Sequence, residues 1–487
     1  MANETRQLAK YAAALRYQDL PGPVVQRAKD AIADTIAAIA FGASLPWSRI
    51  IVDYATRRGA GGRSRVFAPG GARLQAPMAA LANGAMAHAF EMDNLTWPNT
   101  GVHPGATMAM PALAVAQERG IGGRELIAAV VAGAEVMIRI GRATQHNNEG
   151  RGFHAPGTTG PFGGAVAVGR LLKFDAARMT NALGIAGSLA CGLLEFARSG
   201  TGAMVKRLHL GRAAESGVLA ASLAEAGFTG PQSVLEGPFG FLNVYCGEND
   251  AAALTRGLGE EFATLRIMLK RFPVHITSHT SVQAIEDLRC EHGYAAADVA
   301  SIHIAGNQKM ATVNNIPAPA DLMMAQYSLP FCVALAHHRE ARDPVSFNAA
   351  SFNDPAIRSL ASRVTISVAD EARAGHTIAS TVTVTLNDGR TLTRRIDSFK
   401  GTPEQPLDRA EMREKFLLLT QHCDGAAMAR LFERLQNTEN ERNLDWIKIE
   451  AGKKAKAKKQ GPGPPARRGG EYRRASAARK NLILRTN

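Results

Sequence analysis

Apolar residues recur at helical spacing through the first half of the chain, where Ala, Gly and Leu are abundant. Several of these stretches begin next to a proline or a glycine, and some are apolar on nearly every side, which is typical of helices inside a large bundle. The small residues also allow close helix packing. The spacing predicts six helices, over Pro23–Ala43, Pro77–Phe90, Pro104–Arg119, Arg124–Ala143, Gly160–Leu172 and Leu208–Ala226.

The pattern changes after about residue 265, where short β-prone runs alternate with helical stretches. Ser380–Leu386 and Arg390–Ile396 alternate in polarity on either side of an Asn-Asp-Gly sequence, which predicts a β-hairpin. The helical pattern returns over Leu407–Leu435, so the chain is expected to rejoin the bundle. Between these, the pattern predicts strands over Leu265–Phe272, Val299–Ala305 and Val364–Val368 and helices over His279–Leu288 and Leu322–His337.

These elements predict a mainly α protein, with a large all-α helical domain and a smaller inserted α+β lid domain. The helical domain is expected to comprise residues 1–265 and 405–449, and the α+β lid residues 266–404. A cleft between two domains is a common place for a small-molecule ligand. The functional residues are therefore expected to face this cleft.

Most of the formal net charge of +14 comes from the C-terminal end. Ala451–Asn487 contains twelve Lys and Arg residues but a single acidic residue, Glu471. Because this segment is poor in apolar residues and rich in Gly and Pro, residues 450–487 are predicted to form a basic disordered tail. The nearly neutral remainder argues against nucleic-acid binding, except through this tail, which is otherwise a solvated appendage.

Several functional classes lack their sequence signatures. The first residues do not combine a basic start, an apolar run and a cleavage site, as a signal peptide does, and no apolar stretch reaches membrane length. The five cysteines form no CxxC pair, and no P-loop or dinucleotide fingerprint occurs. We therefore expect a cytoplasmic protein that binds no membrane and uses no metal or other cofactor.

An irregular segment between two predicted apolar helices contains a cluster of acid–base residues. His88, Glu91 and Asp93 fall at the end of the first helix, and Thr96 and His103 follow before the second. Such a loop can hold acids and imidazoles at the mouth of a cleft. It can equally be a capped, solvated turn, and the sequence leaves both interpretations open.

Two later segments place basic or imidazole groups where a helix begins. His154 precedes a helix rich in small residues, whose first backbone amides can bind a carboxylate. Lys206 and Arg207, followed by His209, precede another helix. Such cations complement carboxylates, although two basic residues alone are most often part of a solvated surface.

The segment KRFPVHITSH contains two histidines, His275 and His279. Their spacing would suit a metal pair on a helix, but Pro273 and the β-branched residues disfavour a helix, and no third ligand has a suitable spacing. Acid–base catalysis is the better role for His279, because imidazole titrates near neutral pH. Nucleophilic catalysis is disfavoured because the chain has no GxSxG motif.

Six sequence runs occur in the following order between about Glu4 and Leu435: ANGAMAHAFEMDN with HPGA, GFHAPGTTGPFGGA, KRLHLGRAAESG, KRFPVHITSH, AQYSLPFCVA and KGTPEQPL. Together they resemble the MmgE/PrpD family. One such run would be weak support, whereas six in the family's order are specific. The resemblance implies a homodimer with a helical domain, an α+β lid and a metal-free active site that acts on small di- and tricarboxylates.

The resemblance also implies roles for individual residues. Lys206 would bind substrate carboxylates, with Arg207 and His209 assisting it. His103 and His279 would be the leading proton carriers. Carried over in this way, the catalytic residues are Glu91, Asp93, His103, His154, His279 and Tyr327, and the substrate-binding residues are Thr96, Lys206, Arg207 and His209.

Such a set of residues can act without a cofactor. Removing a proton next to a carboxylate, or losing CO₂ from such a position, builds up negative charge that cations and hydrogen-bond donors such as Tyr327 stabilise. A second acid then protonates the leaving hydroxyl or the carbanion. Binding two or three carboxylates of the substrate also orients it.

The leading hypothesis is therefore a cofactor-free lyase that dehydrates a 2-methylcitrate-like hydroxy acid, as in propionate metabolism. The alternative is a cis-aconitate-type decarboxylase, or an epimerase, acting on a related dicarboxylate. A third hypothesis is a non-catalytic family member that binds nucleic acid or a protein partner through the basic tail. The chain departs from the family pattern at Glu91, which is longer than the usual Asp, and at Asn94, which replaces an acid.

Overall fold

Helices account for most of the fold, and the sheets are small. The structure is a computed structural model that describes residues 3–97, 100–200, 203–370 and 377–452. The prediction of a mainly α protein is confirmed. From residue 453 onward, the segment predicted to be a disordered tail lies outside the described residues.

The N-terminal half contains all six predicted helices, with the one predicted from Gly160 beginning earlier, at Ala155. A π-helical turn, Gly105–Ala109, leads into the third of them. The helices are α1 (Glu4–Ala14), α2 (Gly22–Gly42), α3 (Pro46–Arg58), α4 (Ala76–Ala87), α5 (Met110–Arg119), α6 (Gly123–Thr144), α7 (Asn147–Gly150), α8 (Ala155–Leu171), α9 (Ala176–Gly187), α10 (Val205–Glu225) and α11 (Phe241–Tyr245), and a small antiparallel sheet joins β1 (Ala60–Arg65) to β2 (Arg73–Leu74).

Helices α8 and α10 pack with their backbones in direct contact. A Cβ atom added to Gly217 would lie 2.6 Å from the Cα atom of Gly164, and one added to Gly160 would lie 2.8 Å from the Cβ atom of Ala213. Because both pairs advance in the same direction along the chain, the helices are parallel. Their N-terminal ends therefore lie side by side, and this places the residues at the start of each helix near one another.

The C-terminal half is an α+β region followed by two helices. Its helices are α12 (His279–His292), α13 (Gln308–Thr312), α14 (Leu322–Ala325), α15 (Leu329–His338), α16 (Ala349–Phe352), α17 (Pro355–Ala361), α18 (Arg409–Leu419) and α19 (Gly425–Leu435). Its strands are β3 (Val299–Gly306), β4 (Val364–Val368), β5 (Ser380–Leu386) and β6 (Thr391–Ile396).

The four strands form a sheet in the order β4-β3-β5-β6. Strands β3 and β4 are parallel, and the other neighbours are antiparallel. Strands β5 and β6 form the hairpin predicted around Asn387-Asp388-Gly389, and helix α12 packs against them. Helices α18 and α19 pack against α2, so the chain returns to the helical bundle as predicted.

Two predicted elements differ in the structure. Leu265–Phe272 is not a strand: it begins in a 3-10 turn, Ala263–Arg266, and then makes a single bridge between Met268 and Leu95. Leu265 is exposed, whereas the later apolar side chains of the segment are buried. The helix predicted over Leu322–His337 is split into α14 and α15. The Ser328 side chain accepts a hydrogen bond from the backbone N–H of Phe331 at 3.0 Å and starts the second helix there.

A continuous hydrophobic core runs through both halves, and residues 1–451 form one compact unit. The division into a helical domain (1–265 and 405–449) and a lid (266–404) stays a prediction. Within the described segments, no single helix has the length and apolar character of a membrane span. Helices α2 and α3 meet that criterion only as a pair, and they are bent by 101° relative to each other.

Candidate active site

A cavity of about 690 Å³ is lined by residues from both the helical half and the α+β region. Among the described lining residues, five Lys and Arg outnumber three Glu, so the cavity suits an anionic ligand. Four histidines add imidazole groups, which can donate and accept hydrogen bonds. The ionisable lining residues are Glu91, His103, His146, Glu149, Arg151, His154, Glu195, Arg198, Lys206, Lys270, His275, Lys309 and Tyr327.

Glu91 binds two lysines that come from distant parts of the chain. One carboxylate oxygen accepts a hydrogen bond from Lys270 Nζ at 2.8 Å, and the other pairs with Lys206 Nζ. All three side chains are buried, so each charge compensates the cost of removing the others from water. Glu91 also has a φ of 58°, in the left-handed region that residues other than glycine seldom adopt. Backbone strain of this kind is concentrated at functional sites.

Gln326 sets the spacing between the two halves beside this ion cluster. Its side-chain amide donates to the carbonyl oxygens of Phe90 at 3.1 Å and Pro273 at 2.8 Å. Its backbone carbonyl accepts from the backbone N–H of His275 at 2.9 Å. One buried amide therefore links the residue before Glu91 to the segment that contains His275.

Asp93 lies behind the cavity wall, between two imidazoles. Its carboxylate accepts hydrogen bonds from His103 Nδ1 at 2.7 Å and from His88 Nδ1 at 3.0 Å. Burial by itself raises the pKa of Asp93, but the two rings outweigh it and hold the pKa well below its ordinary value. An ionised carboxylate only accepts hydrogen bonds, so both Nδ1 atoms carry hydrogen. This leaves His103 Nε2 for the cavity, as in other Asp-supported general acids and bases.

His154 and His209 form a neutral pair at the adjacent N-terminal ends of α8 and α10. Their Nδ1 atoms are 3.0 Å apart. Burial lowers the pKa of His154 to about 3 and that of His209 to about 4. At neutral pH, one ring therefore donates its Nδ1 hydrogen to the other. His154 lines the cavity, whereas His209 supports it from behind.

The hydrogen bonds around His275 define its tautomer. Asn314 donates through Nδ2 to the carbonyl oxygen of Tyr327 at 2.9 Å, so its Oδ1 atom accepts the hydroxyl hydrogen of Thr277 at 2.8 Å. The Thr277 hydroxyl must then accept from His275 Nδ1, which is 2.9 Å away. Burial, followed by Lys309 and other cations, lowers the pKa of His275 well below its ordinary value. The His275 ring that lines the cavity is thus a neutral imidazole with an unprotonated Nε2.

Tyr327 lies at the break between α14 and α15, against two of these groups. Lys206 Nζ is 4.7 Å from the centre of its ring, and the His275 ring is 5.0 Å away, centre to centre. Burial raises the pKa of Tyr327 above its ordinary value. Its hydroxyl therefore stays protonated and can donate a hydrogen bond.

A second ion pair connects the two halves across the cavity lining. Lys309 Nζ, from α13, is 3.4 Å from an oxygen of Glu149, from α7. Burial raises the pKa of Glu149, but Lys309 and His146 outweigh it and lower the pKa to about 2. Glu149 is consequently ionised at any physiological pH, and its carboxylate holds the ammonium group of Lys309 beside the cavity.

Seven of the ten predicted site residues belong to this arrangement. Glu91, His103, His154, Lys206 and Tyr327 line the cavity. The other two, Asp93 and His209, bind a lining histidine from behind.

Thr96 and Arg207 are buried but do not line the cavity. The hydroxyl oxygens of Thr96 and Thr100 are 2.7 Å apart. The guanidinium of Arg207 lies 5.5 Å from the centre of the Trp47 ring. Their predicted role in substrate binding stays a prediction.

His279 is also absent from the cavity lining. Its ring packs 4.5 Å from the Phe399 ring and 5.5 Å from the Phe272 ring, centre to centre. The KRFPVHITSH segment instead directs His275 into the cavity. A catalytic role for His279 stays a prediction.

Eight of the ionisable lining residues were not among the predicted site residues, and four of these eight make the contacts described above. Lys270 and His275 lie in a motif that the sequence does reveal, but the motif alone cannot tell which of its two histidines faces the cavity. Glu149 and Lys309 carry no local signal, because their pairing joins segments that are distant in the sequence.

His88, Asp93 and His103 offer ligand atoms that all lie within 4.8 Å of one another, a spacing that a metal ion could bridge. The distances from the Asp93 carboxylate to the two histidine rings are those of hydrogen bonds. These hydrogen bonds alone explain why the three side chains lie close together. That the protein uses no metal stays a prediction.

Known proteins resemble the chain over most of its length. It is 29% identical to a cis-aconitate decarboxylase of Aspergillus terreus over 447 residues, which cover 85% of this chain and 89% of the relative. It is 30% identical to the cis-aconitate decarboxylase of Homo sapiens over 416 residues, covering 82% and 84%. The enzyme of that name from Mus musculus is 27% identical over 418 residues, covering 82% and 83%.

The two halves of the chain also match two domains of one family. Residues 6–254 match the MmgE/PrpD N-terminal domain, and residues 272–439 match the MmgE/PrpD C-terminal domain. The residues that line the cavity come from both matched regions. The chain therefore belongs to the MmgE/PrpD family.

Proposed function

We propose that the protein is a cofactor-free lyase that removes CO₂ from a small unsaturated tricarboxylate of the cis-aconitate type. The observation that carries this proposal is the cationic cavity. Two buried lysines share the carboxylate of Glu91 there, and a hydrogen bond to Asp93 supports His103. The named relatives are cis-aconitate decarboxylases. They favour the decarboxylase alternative over the leading prediction of a 2-methylcitrate dehydratase.

Carboxylate binding follows from the ion pairs. Lys206 and Lys270 both pair with one protein carboxylate, that of Glu91. A substrate carboxylate can supply a second anion for the two lysines. The site is buried, so the attraction between an ammonium group and a carboxylate is stronger there than in water. Lys309, which is bound to Glu149, offers a third cation beside the same cavity. Three cations would fix the orientation of a tricarboxylate.

The reaction needs a bond cleavage and one proton. The bond between a carbon atom and its carboxylate breaks, CO₂ leaves, and the electron pair forms a new double bond to the neighbouring carbon. The electrons of the original double bond then take a proton at its far carbon. Nε2 of His103 is the proposed proton donor, and ionised Asp93 stabilises the doubly protonated ring. The lysines stabilise the negative charge that builds up on the substrate.

His275 gains a proton when substrate binds. Its ring is neutral before substrate binds, because burial and nearby cations lower the pKa of His275. Substrate carboxylates reverse that balance, since an opposite charge nearby favours the charged form. His275 would then act with His103 as a proton carrier. The expected homodimer and cytoplasmic location form part of this proposal.

A substrate panel tests the reaction class. We expect purified protein to release CO₂ from cis-aconitate, without loss of activity in the presence of a metal chelator, and to form no alkene from 2-methylcitrate or citrate. CO₂ release and absorbance of new double bonds measure the two reactions. His103→Asn should lower turnover by about 10²-fold or more, as expected for loss of a general acid. Turnover of 2-methylcitrate without CO₂ release would establish the dehydratase instead, and turnover of neither would refute both assignments.

The pH dependence of kcat/KM tests the role of Lys270. Burial, opposed by Asp93 and Asp34, lowers the pKa of Lys270 to about 8. Above that pH the free enzyme loses this cation, so kcat/KM is expected to decline as pH rises through about 8. Lys270→Arg should remove the decline, because arginine stays protonated. Lys448→Arg, at an exposed position, is the matched control. An unchanged decline in Lys270→Arg would contradict this assignment.

Two substitutions compare the histidines of the KRFPVHITSH segment. His275→Asn keeps an N–H donor toward Thr277 but lacks a second ring nitrogen, so kcat should decrease by about 10²-fold or more. His279→Leu should retain turnover, because its ring packs between two phenylalanines outside the cavity. Steady-state kinetics and thermal denaturation of both variants measure these effects. The opposite result, with an inactive but folded His279→Leu and an active His275→Asn, would assign catalysis to His279.

A further inference from the structure

Asn94 turns away from the cavity and joins the active-site loop to α2. Its side chain is fully buried and is not part of the cavity lining. Its Nδ2 atom has two hydrogens, which are shared among three acceptors: the carbonyl oxygen of Ala31 at 3.1 Å, Asp34 Oδ2 at 3.0 Å and Thr35 Oγ1 at 2.9 Å. Its Oδ1 atom accepts from the backbone N–H of Gly105 at 2.9 Å.

Lys415 holds the other side of the same loop. Its Nζ atom pairs with Asp34 Oδ1 and also donates to the carbonyl oxygen of Met92 at 3.2 Å. Asp34 is therefore the shared anchor, bound through one oxygen to Asn94 and through the other to Lys415. Both chain neighbours of Asp93 are consequently fixed to α2.

The same amide also fixes the segment that follows His103. Gly105, which Asn94 binds, packs so closely that a Cβ atom there would lie 1.8 Å from Thr35 Oγ1 and 2.7 Å from Asn94 Nδ2. A single side chain thus anchors the loop directly after Asp93 and again two residues after His103. The hydrogen bond between Asp93 and His103 is short, at 2.7 Å. A small displacement of either side chain would therefore break it.

We propose that Asn94 is a positioning residue for the Asp93–His103 pair, and that in this chain its amide, which replaces the acid of the family pattern, acts by donating to Asp34. This proposal rests on the proposed function of His103 as a proton carrier. An aspartate at position 94 would place a second buried carboxylate against Asp34 without a hydrogen between them. The ionisable groups that face Asp34 are Lys415, Asp93 and Lys270.

The test compares Asn94→Asp with the exchanged double variant Asn94→Asp, Asp34→Asn. In the single variant kcat should decrease by about 10²-fold, the cost of a small misplacement of reacting groups, while KM stays close to that of the unmodified enzyme. The exchanged variant keeps one carboxylate, one amide and one ammonium in the same cluster. It should therefore recover most of kcat. Asn353→Asp, at an exposed position where the amide also donates to a carbonyl, is the matched control.

The pH profile separates positioning from general destabilisation. Two buried carboxylates in contact share a proton at low pH, and this proton can replace the lost N–H donor. The activity of Asn94→Asp should therefore recover as pH is lowered and decrease again as pH rises, in a range where the exchanged variant shows no such change. The ¹⁵N chemical shifts of the His103 ring report the same displacement in the absence of substrate, and should return to those of the unmodified enzyme in the exchanged variant.

Each outcome is decisive. A folded Asn94→Asp with unchanged kcat and pH profile would overturn the proposal, as would an exchanged variant that fails to recover kcat. If Asn94→Asp does not fold, recovery of both folding and activity by the exchange still supports the pairing, and its failure refutes it. If the unmodified enzyme proves inactive on the substrate panel, the proposed function fails, and the ¹⁵N shifts alone decide whether Asn94 positions His103.

Discussion

The carboxylate of Glu91, shared by Lys206 and Lys270, is the interaction on which the rest of the site depends. A buried ammonium without a counter-ion would lose its proton or open the cavity to water. One carboxylate compensates the two ammonium groups only in part, because burial and neighbouring cations lower the pKa of Lys206 below its ordinary value and burial lowers the pKa of Lys270 to about 8. When both lysines are protonated, the cluster carries an excess positive charge, which favours the binding of a polyanion. The strained backbone at Glu91 is the local cost of placing the carboxylate there.

The fold positions this cluster through close packing and buried amides. Glycines let α8 and α10 lie backbone against backbone, which brings His154 and Lys206 to neighbouring helix ends. Asparagine and glutamine side chains then connect segments that helices and strands do not join. Gln326 links the Glu91 loop to the α+β region, and Asn314 sets the tautomer of His275 through Thr277.

Periodicity in the sequence predicted most elements because the helices and the β5–β6 hairpin carry strong local patterns. It failed over Leu265–Phe272, where β-prone residues serve isolated tertiary contacts, and at Tyr327, where the Ser328 cap interrupts an apolar run. The motifs located the regions that form the site. They could not choose between His275 and His279, or pair Glu149 with Lys309, because both depend on how distant segments meet. At Asn94, the sequence showed that an acid of the family pattern is replaced, but it could not show that the side chain faces α2 instead of the cavity.

The most direct test of the account is the crystal structure of the enzyme with a bound tricarboxylate that it does not turn over. The account predicts one ligand carboxylate in hydrogen-bond contact with Lys206 Nζ and Lys270 Nζ, and a carbon atom of the ligand facing His103 Nε2. A ligand bound away from these lysines, with both still paired only to Glu91, would contradict it.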